Sequence, residues 1–275
     1  MTGATDETLA TGFRQVDSTG ASQAFIDCLD LQTGLEQTHA WKLRGFDHMR
    51  IQGGHHVLDV GCGTGDDARA LSARVGPSGR VVGIDNSAEM VREAKARSEG
   101  TDLPVEFHRM AVTELDFPDE SFDSIHTERV LVHVHDGASA VAEMARLLRP
   151  GGRLVMTEPD MDTNIVNAGD RDVTRRILSH RGDLMANGWI GRELPGFCHA
   201  AGLRSIEIHP EVQVITDPRI GRGLFDLEAA VDAARQAGLI TSDEGAAWLA
   251  VIEAHAKSGS YFGSCTLFTV VATRT

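Results

Sequence analysis

Three alternating glycines, Gly61, Gly63 and Gly65, follow the run Val57-Leu58-Asp59-Val60 and precede a stretch with Ala68, Leu71 and Val75 on one helical face. An apolar, β-branched run ending on an acid, then a glycine break, then a 3.6-residue period reads as buried parallel strand, tight turn and helix. Glycine is needed where the backbone takes φ > 0 or comes close to a ligand. The loop is therefore expected to cradle a nucleotide-type ligand at the carboxyl end of a strand. That commits the chain to an α/β sheet.

A dinucleotide fingerprint has the spacing G-x-G-x-x-G and seats a pyrophosphate on a helix N-terminus. Here the spacing is G-x-G-x-G, and Asp66 and Asp67 occupy the helix start. Two carboxylates there repel a pyrophosphate and suit a ligand with a positive centre. S-adenosylmethionine, with a sulfonium and an ammonium, has that character. A second strand over 80–85 ends on Asp85, 20 residues after Gly65. A carboxylate at the tip of the second strand can accept hydrogen bonds from both ribose hydroxyls.

The pair VLDVGCGTG and VVGIDNSAEM resembles the first two motifs of class I S-adenosylmethionine-dependent methyltransferases. Met110-Ala111-Val112-Thr113-Glu114-Leu115-Asp116-Phe117, followed by Ser121-Phe122-Asp123, is similar to the family's G-D-A-x-x-L-P-F and S-F-D segment. In that segment an aspartate often receives the adenine amino group. Ala111 stands in its place, so the contact is expected from the backbone of Ala111 or Val112. Thr127-Glu128-Arg129-Val130-Leu131-Val132-His133-Val134-His135-Asp136 resembles the E-R-x-L-x-H-x-x-D stretch of one small-molecule branch, and similar segments continue at 142–153, 157–163 and 188–195. The likeness covers roughly residues 50 to 215. It implies a Rossmann-like, doubly wound α/β fold with a seven-stranded sheet whose last strand is antiparallel. It also implies S-adenosylmethionine as cofactor and S-adenosylhomocysteine as product. The cofactor wall it implies comprises Asp59, Gly61, Cys62, Gly63, Gly65, Asp85, Asn86, Met90, Ala111, Val112, Glu128 and Arg129. Asp59 is expected to receive the methionine ammonium, directly or through water, and Lys42 or Arg44 could reach its carboxylate, the alternative being long helix cations in solvent.

The totals bound the partners. A net charge of −14 argues against a broad nucleic-acid footprint, which needs a basic face. Cys28, Cys62, Cys198 and Cys265 lack disulfide or metal spacing, so reduced thiols are expected. No apolar run reaches membrane-spanning length, and the opening residues lack the basic-then-apolar order of a signal peptide. The expected partner is a small-molecule substrate, with no nucleic acid and no membrane, in the cytoplasm. A homodimer is compatible with the sequence and not required by it.

Residues 1–19 read as loose, and helices are expected over 20–31 and 35–51 with Gly34 as the break. Together 1–52 form a helical cap, folding over the site by resemblance or simply packing on the sheet. The domain proper is 53–275. Strands are expected at 55–60, 80–85, 105–109, 122–127 and 153–158, alternating with helices at 65–75, 88–98 and 137–148. Beyond these come a polar loop at 161–169, helices at 172–186 and 194–201, and a long strand at 205–215. Helices at 225–237 and 243–257 and a last strand at 264–273 follow. The helical insertions at about 170–201 and 224–257 are the expected substrate lid.

Methyl transfer is an in-line displacement on an activated carbon, so the protein mainly aligns the nucleophile and excludes water. An oxygen or nitrogen nucleophile must also lose a proton. His133, just past the fourth strand, is the favoured base, the alternative being a histidine packed at a helix start. Glu158 and Asp160 are the other catalytic candidates. They could orient His133, bind a cationic substrate, or pair with Arg129 or Arg153. His133 and His135 do not make a metal pair, since i, i+2 spacing shares a face only on a strand and no third ligand is evident. No metal is expected. Trp189 and Tyr261 are candidate pocket aromatics, the commoner alternative for single aromatics being core packing. A hydroxyl acceptor is favoured over nitrogen or carbon. The rival readings are macromolecule methylation, which the acidic balance disfavours, and a non-methylating rearrangement or cyclisation, which product mass would reveal.

Overall fold

The computed structural model describes residues 12–275, so the first part of the segment expected to be loose lies outside the described residues. Five strands, β1 (His56–Val60), β2 (Arg80–Asp85), β3 (Val105–Arg109), β4 (Phe122–Glu128) and β5 (Leu148–Val166), pair in parallel. β7 (Gly263–Thr273) enters antiparallel between β5 and β6 (Arg204–Ile215), giving the order β3-β2-β1-β4-β5-β7-β6. This is the Rossmann-like, doubly wound sheet expected, last strand antiparallel. Its central strands are apolar on both faces because helices cover both. Val57, Leu58, Val81, Val82 and Ile125 are all fully buried. The strand order reverses between β1 and β4, which leaves a crevice at their carboxyl ends.

Helices Ser22–Thr33 and Glu36–His48 precede the sheet, and Asp66–Val75, Ala88–Ser98 and Gly137–Leu147 are the crossovers. In the last of these Ala140, Val141, Met144 and Leu147 form the buried stripe. Ser87 caps Ala88–Ser98 by accepting the Met90 N–H at 3.1 Å. No helix among the described residues is long and apolar enough to cross a membrane.

Three stretches differ from the sequence expectation. Phe13–Gln15 and Val16–Thr19 are helical turns rather than loose chain. Asp17 anchors them by accepting the N–H groups of Ala88 and Glu89 at 2.9 and 3.2 Å, a carboxylate lent to a distant helix N-terminus. The expected polar loop at 161–169 is largely strand: β5 continues across a bulge until Ile165 and Val166 pair with Ser264 and Gly263. The Thr163 hydroxyl carries the register there, donating to the Asp160 carbonyl at 2.7 Å and accepting the Thr266 N–H at 2.8 Å. The helix expected over 225–237 is present as Leu227–Gln236, but a further helix that the sequence reading did not expect, Pro218–Phe225, precedes it across Asp226 with φ 47°. Asp217 caps Pro218–Phe225, with proline in its opening turn. These helices pack with Arg171–Asp183 and Ser242–Ser258 around Val173, Ile177, Phe225, Leu227, Trp248 and Ile252, and Trp41 from the N-terminal region joins that core.

Candidate active site

A cavity of about 430 Å³ occupies the crevice. Its floor is the loop after β1 with Asp85 and Asn86 at the end of β2, Met110 to Thr113 after β3, and Glu128 to Val134 after β4. Phe13, Arg14, Val16 and Leu29 close one side, and Arg181, Met185, Leu224 and Phe225 close another. Of the residues expected in the cofactor wall, Gly61, Cys62, Gly63, Asp85, Asn86, Met90, Ala111, Val112, Glu128 and Arg129 line it. Gly65 lies behind the wall, at φ +82°, closing the turn through its N–H to the Cys62 carbonyl at 2.8 Å.

The loop and the acid form one unit. Gly63 donates its N–H to Asp85 Oδ2 at 3.0 Å, and Ser87 donates to Oδ1 at 2.9 Å. Each carboxylate oxygen keeps a lone pair for a ligand. Burial pushes the Asp85 carboxyl above its ordinary value, against those two donors. On this side Asp66, Asp67, Asp85 and Glu128 outnumber Lys42 and Arg129, so the wall suits a cationic ligand and disfavours a pyrophosphate.

Beneath the loop, Lys42 Nζ lies 2.7 and 2.8 Å from the Asp67 oxygens and 3.5 Å from Glu128, whose Oε2 accepts Trp41 Nε1–H at 3.1 Å. Burial works against the Glu128 charge, but Lys42 and Arg129 outweigh it and hold the carboxyl down to about 2. Asp67, His126 and Glu128 offer atoms within 4.8 Å of one another, and Lys42 pairs with two of the three, Asp67 and Glu128. Lys42 thus serves carboxylates of the protein, while Arg44 pairs with Glu211 away from the cavity. Asp59 does not reach the wall either. Strand alternation turns it to the face opposite Val60, where Oδ1 sits 2.8 Å from His126 Nδ1 in a buried pair.

The chain after β4 is held by an acid from β5. The Glu158 carboxylate, wholly buried, accepts the N–H groups of Val130, Leu131 and Val132 at 2.9, 2.8 and 3.2 Å. Burial pushes its carboxyl up to about 7, against those three donors. It positions the turn Leu131–His133 and does not line the cavity. His133 does line it, with the Phe13 ring 5.6 Å away, and its Nδ1 is buried without a partner among the described residues. Burial, reinforced by Arg14 and Arg181, holds the imidazole down to about 4, so it is neutral at physiological pH. His135 turns outward, 3.1 Å from Arg14 Nη1. Asp160 points away from the cavity into an ion pair with Arg192. Of the three catalytic candidates, only His133 meets the cavity.

Sequence reading missed Phe13, Arg14, Arg181 and Gln213 in this wall. Arg181 had a signal: it continues the apolar stripe Val173, Ile177 at four-residue steps, where a solvated arginine does not belong. The two aromatic candidates lie elsewhere. Trp189 is exposed beneath Arg192, and Tyr261 is buried against Gly221.

A family profile described as "Methyltransferase domain" matches residues 57–152. The chain is 37% identical over 252 residues to an uncharacterized 37.1 kDa protein in transposon TN4556 of Streptomyces fradiae, covering 91% of this chain and 71% of that protein. It is 34% identical over 178 residues to the ubiquinone/menaquinone biosynthesis C-methyltransferase of Hahella chejuensis, covering 64% of this chain and 69% of that enzyme. Among solved structures, the YcgJ protein of Bacillus subtilis matches with a TM-score of 0.61 at 22% identity, over 86% of this chain and 98% of that one. At that identity the likeness speaks for the fold.

Proposed function

Because this chain belongs to the class I S-adenosylmethionine-dependent methyltransferases, we propose that its cavity aligns the cofactor with a small-molecule acceptor whose proton passes to His133. When bound, the cofactor supplies a methyl carbon activated by its sulfonium. Asp85 would accept the ribose hydroxyls through its free lone pairs. Asn86, Met90, Ala111 and Val112 would flank the adenine, and the acids around Gly61 and Glu128 would favour the cationic end. The N-terminal turns and the helices after β5 exclude water from the transfer path.

The observation that carries this reading is the place of His133 in the cavity wall, its Nδ1 buried and without a partner among the described residues. A base is needed most where the acceptor is a hydroxyl, so O-methylation is the favoured outcome. The Hahella relative is named for C-methylation. A carbon acceptor with an ionisable proton would use the same base, and fragmentation of the methylated product distinguishes the two.

His133→Gln is expected to lower kcat about 100-fold or more, with cofactor affinity unchanged. The sign of the pH effect follows from the depressed imidazole. In the native protein the base form prevails above about 4. Wild-type kcat/KM should therefore rise through that pH and then level. The variant depends on acceptor ionised in solution, so its rate should keep climbing into alkaline pH. Identical pH profiles for the two proteins would remove His133 from the proton path.

A further inference from the structure

The cavity wall away from the glycine loop is rich in donors that have nothing to donate to. Arg181, 7% exposed, gives Nη2–H to the Leu224 carbonyl at 3.0 Å, but its Nε and Nη1 are buried without partners among the described residues. Gln213 Nε2 and Asn164 Nδ2, in the same wall, are also buried and unpartnered. Asp226 acts on the guanidinium only from a distance and makes no ion pair with it. The surroundings are apolar, supplied by Met185, Phe225 and Leu267.

A buried guanidinium whose one acidic neighbour among the described residues, Asp226, stays beyond ion-pair distance is costly, and the cost is offset when a ligand brings an anion into contact. A fold that needed only packing here would do better with methionine or leucine on the stripe of Val173 and Ile177. Three unpaired donor groups converging on one cavity define what is missing. It is an oxygen acceptor, negatively charged, on an otherwise apolar molecule.

We propose that Arg181, assisted by Gln213, is an oxyanion site that selects acceptors bearing an enolate or phenolate oxygen. The proposal rests on the methyltransferase reading and names the substrate class of that same cavity. An acceptor entering as the neutral acid gives its proton to His133 Nδ1, and the resulting anion is held by Arg181. The anion's electron pair, on oxygen or on its conjugated carbon, forms the bond to the methyl carbon as the C–S bond breaks towards sulfur. The positive charge of the sulfonium and the negative charge of the acceptor cancel, and His133 returns its proton to solvent. Arg181 is thus a specificity residue that also makes the acceptor more acidic.

The test uses the full chain loaded with S-adenosylhomocysteine and the probe 4-nitrophenol, whose anion absorbs in the visible, with 4-nitroanisole as neutral counterpart. Wild type is expected to bind the phenolate about tenfold or more tightly than the anisole, and to lower the apparent pKa of bound phenol by about one unit or more. Arg181→Met should lose both effects, and Arg181→Lys should recover part of them. Arg181→Met should stay folded and melt near wild type, because the guanidinium makes no ion pair among the described residues and methionine suits the stripe of Val173 and Ile177. Phenolate binding that is absent from wild type or indifferent to Arg181 overturns the proposal. So does loss of S-adenosylmethionine affinity in Arg181→Met, which would assign the guanidinium to the cofactor's carboxylate. Failure of wild type to bind S-adenosylmethionine would overturn the methyltransferase reading beneath it, a result visible before any probe is added.

Discussion

Gly61→Ala is expected to abolish measurable S-adenosylmethionine binding and to cost about 2–5 kcal/mol of stability. Gly61 holds φ +69°, a left-handed conformation that costs a side-chain-bearing residue about 1–2 kcal/mol. The added Cβ would stand 2.2 Å from Val130 Cγ2 and 2.9 Å from Cγ1. Val130 cannot retreat, because its N–H is fastened to Glu158 at 2.9 Å. Relieving the overlap must therefore move the glycine loop, the turn that carries His133, or both. Gly259→Ala is the control. It sits at φ +71° with nothing within 4 Å of the added atom, so it should cost only about 1–2 kcal/mol and leave binding intact. Thermal melts and cofactor titrations of the two variants separate backbone strain from loss of the cradle.

The second large effect belongs to Glu158→Gln. The amide oxygen can still receive Val130 and Leu131, but its NH2 then faces the Val132 N–H, donor against donor. A buried donor left unmet costs about 1–3 kcal/mol, and a displacement of the His133 turn of order 1 Å costs about 100-fold in kcat. The variant also changes the pH dependence of stability. The Glu158 carboxyl is raised from 4.5 to about 7 in the fold, so its contribution is present below 4.5 and lost as pH rises through 7. His133 is lowered from 6.5 to about 4, so its contribution is present above 6.5 and lost as pH falls through 4. Between 4.5 and 6.5 the two slopes oppose and nearly cancel. Without Glu158 only the histidine slope remains. The variant's stability should rise by about 1 kcal/mol per pH unit across that window, while wild type changes little from these groups. Denaturant melts at several pH values measure both, and parallel curves would contradict the assignment.

The central sheet, the glycine loop, Asp85 and His133 are legible in the sequence because neighbouring residues encode them: an apolar run, a glycine break, an acid at a strand tip. What was not legible depends on partners far along the chain. Asp160 looks like a crevice residue until Arg192 claims it. Asp59 looks like a ligand for an ammonium until His126 claims it on the opposite face. The strand beyond Asp160 rests on the Thr163 hydroxyl meeting β7, which no hydrophobic period announces. The turns at 13–19 are held by Asp17 on a helix start some 70 residues away, close to the separation of 71 for its bond to Ala88. By contrast, Asp217-Pro218 carries a helix-start signal for Pro218–Phe225 and Arg181 interrupts an apolar stripe, two local signals that the sequence reading passed over.

The most direct measurement is calorimetric titration of the full chain with S-adenosylmethionine, with NAD as the control ligand and Asp85→Ala in parallel. One saturable site for S-adenosylmethionine, no heat from NAD, and binding about 100-fold weaker in the variant are expected, since the variant would lose the two charge-assisted hydrogen bonds proposed between the ribose hydroxyls and Asp85. Saturable NAD binding, or S-adenosylmethionine affinity indifferent to Asp85, would contradict the assignment of this crevice as the cofactor site.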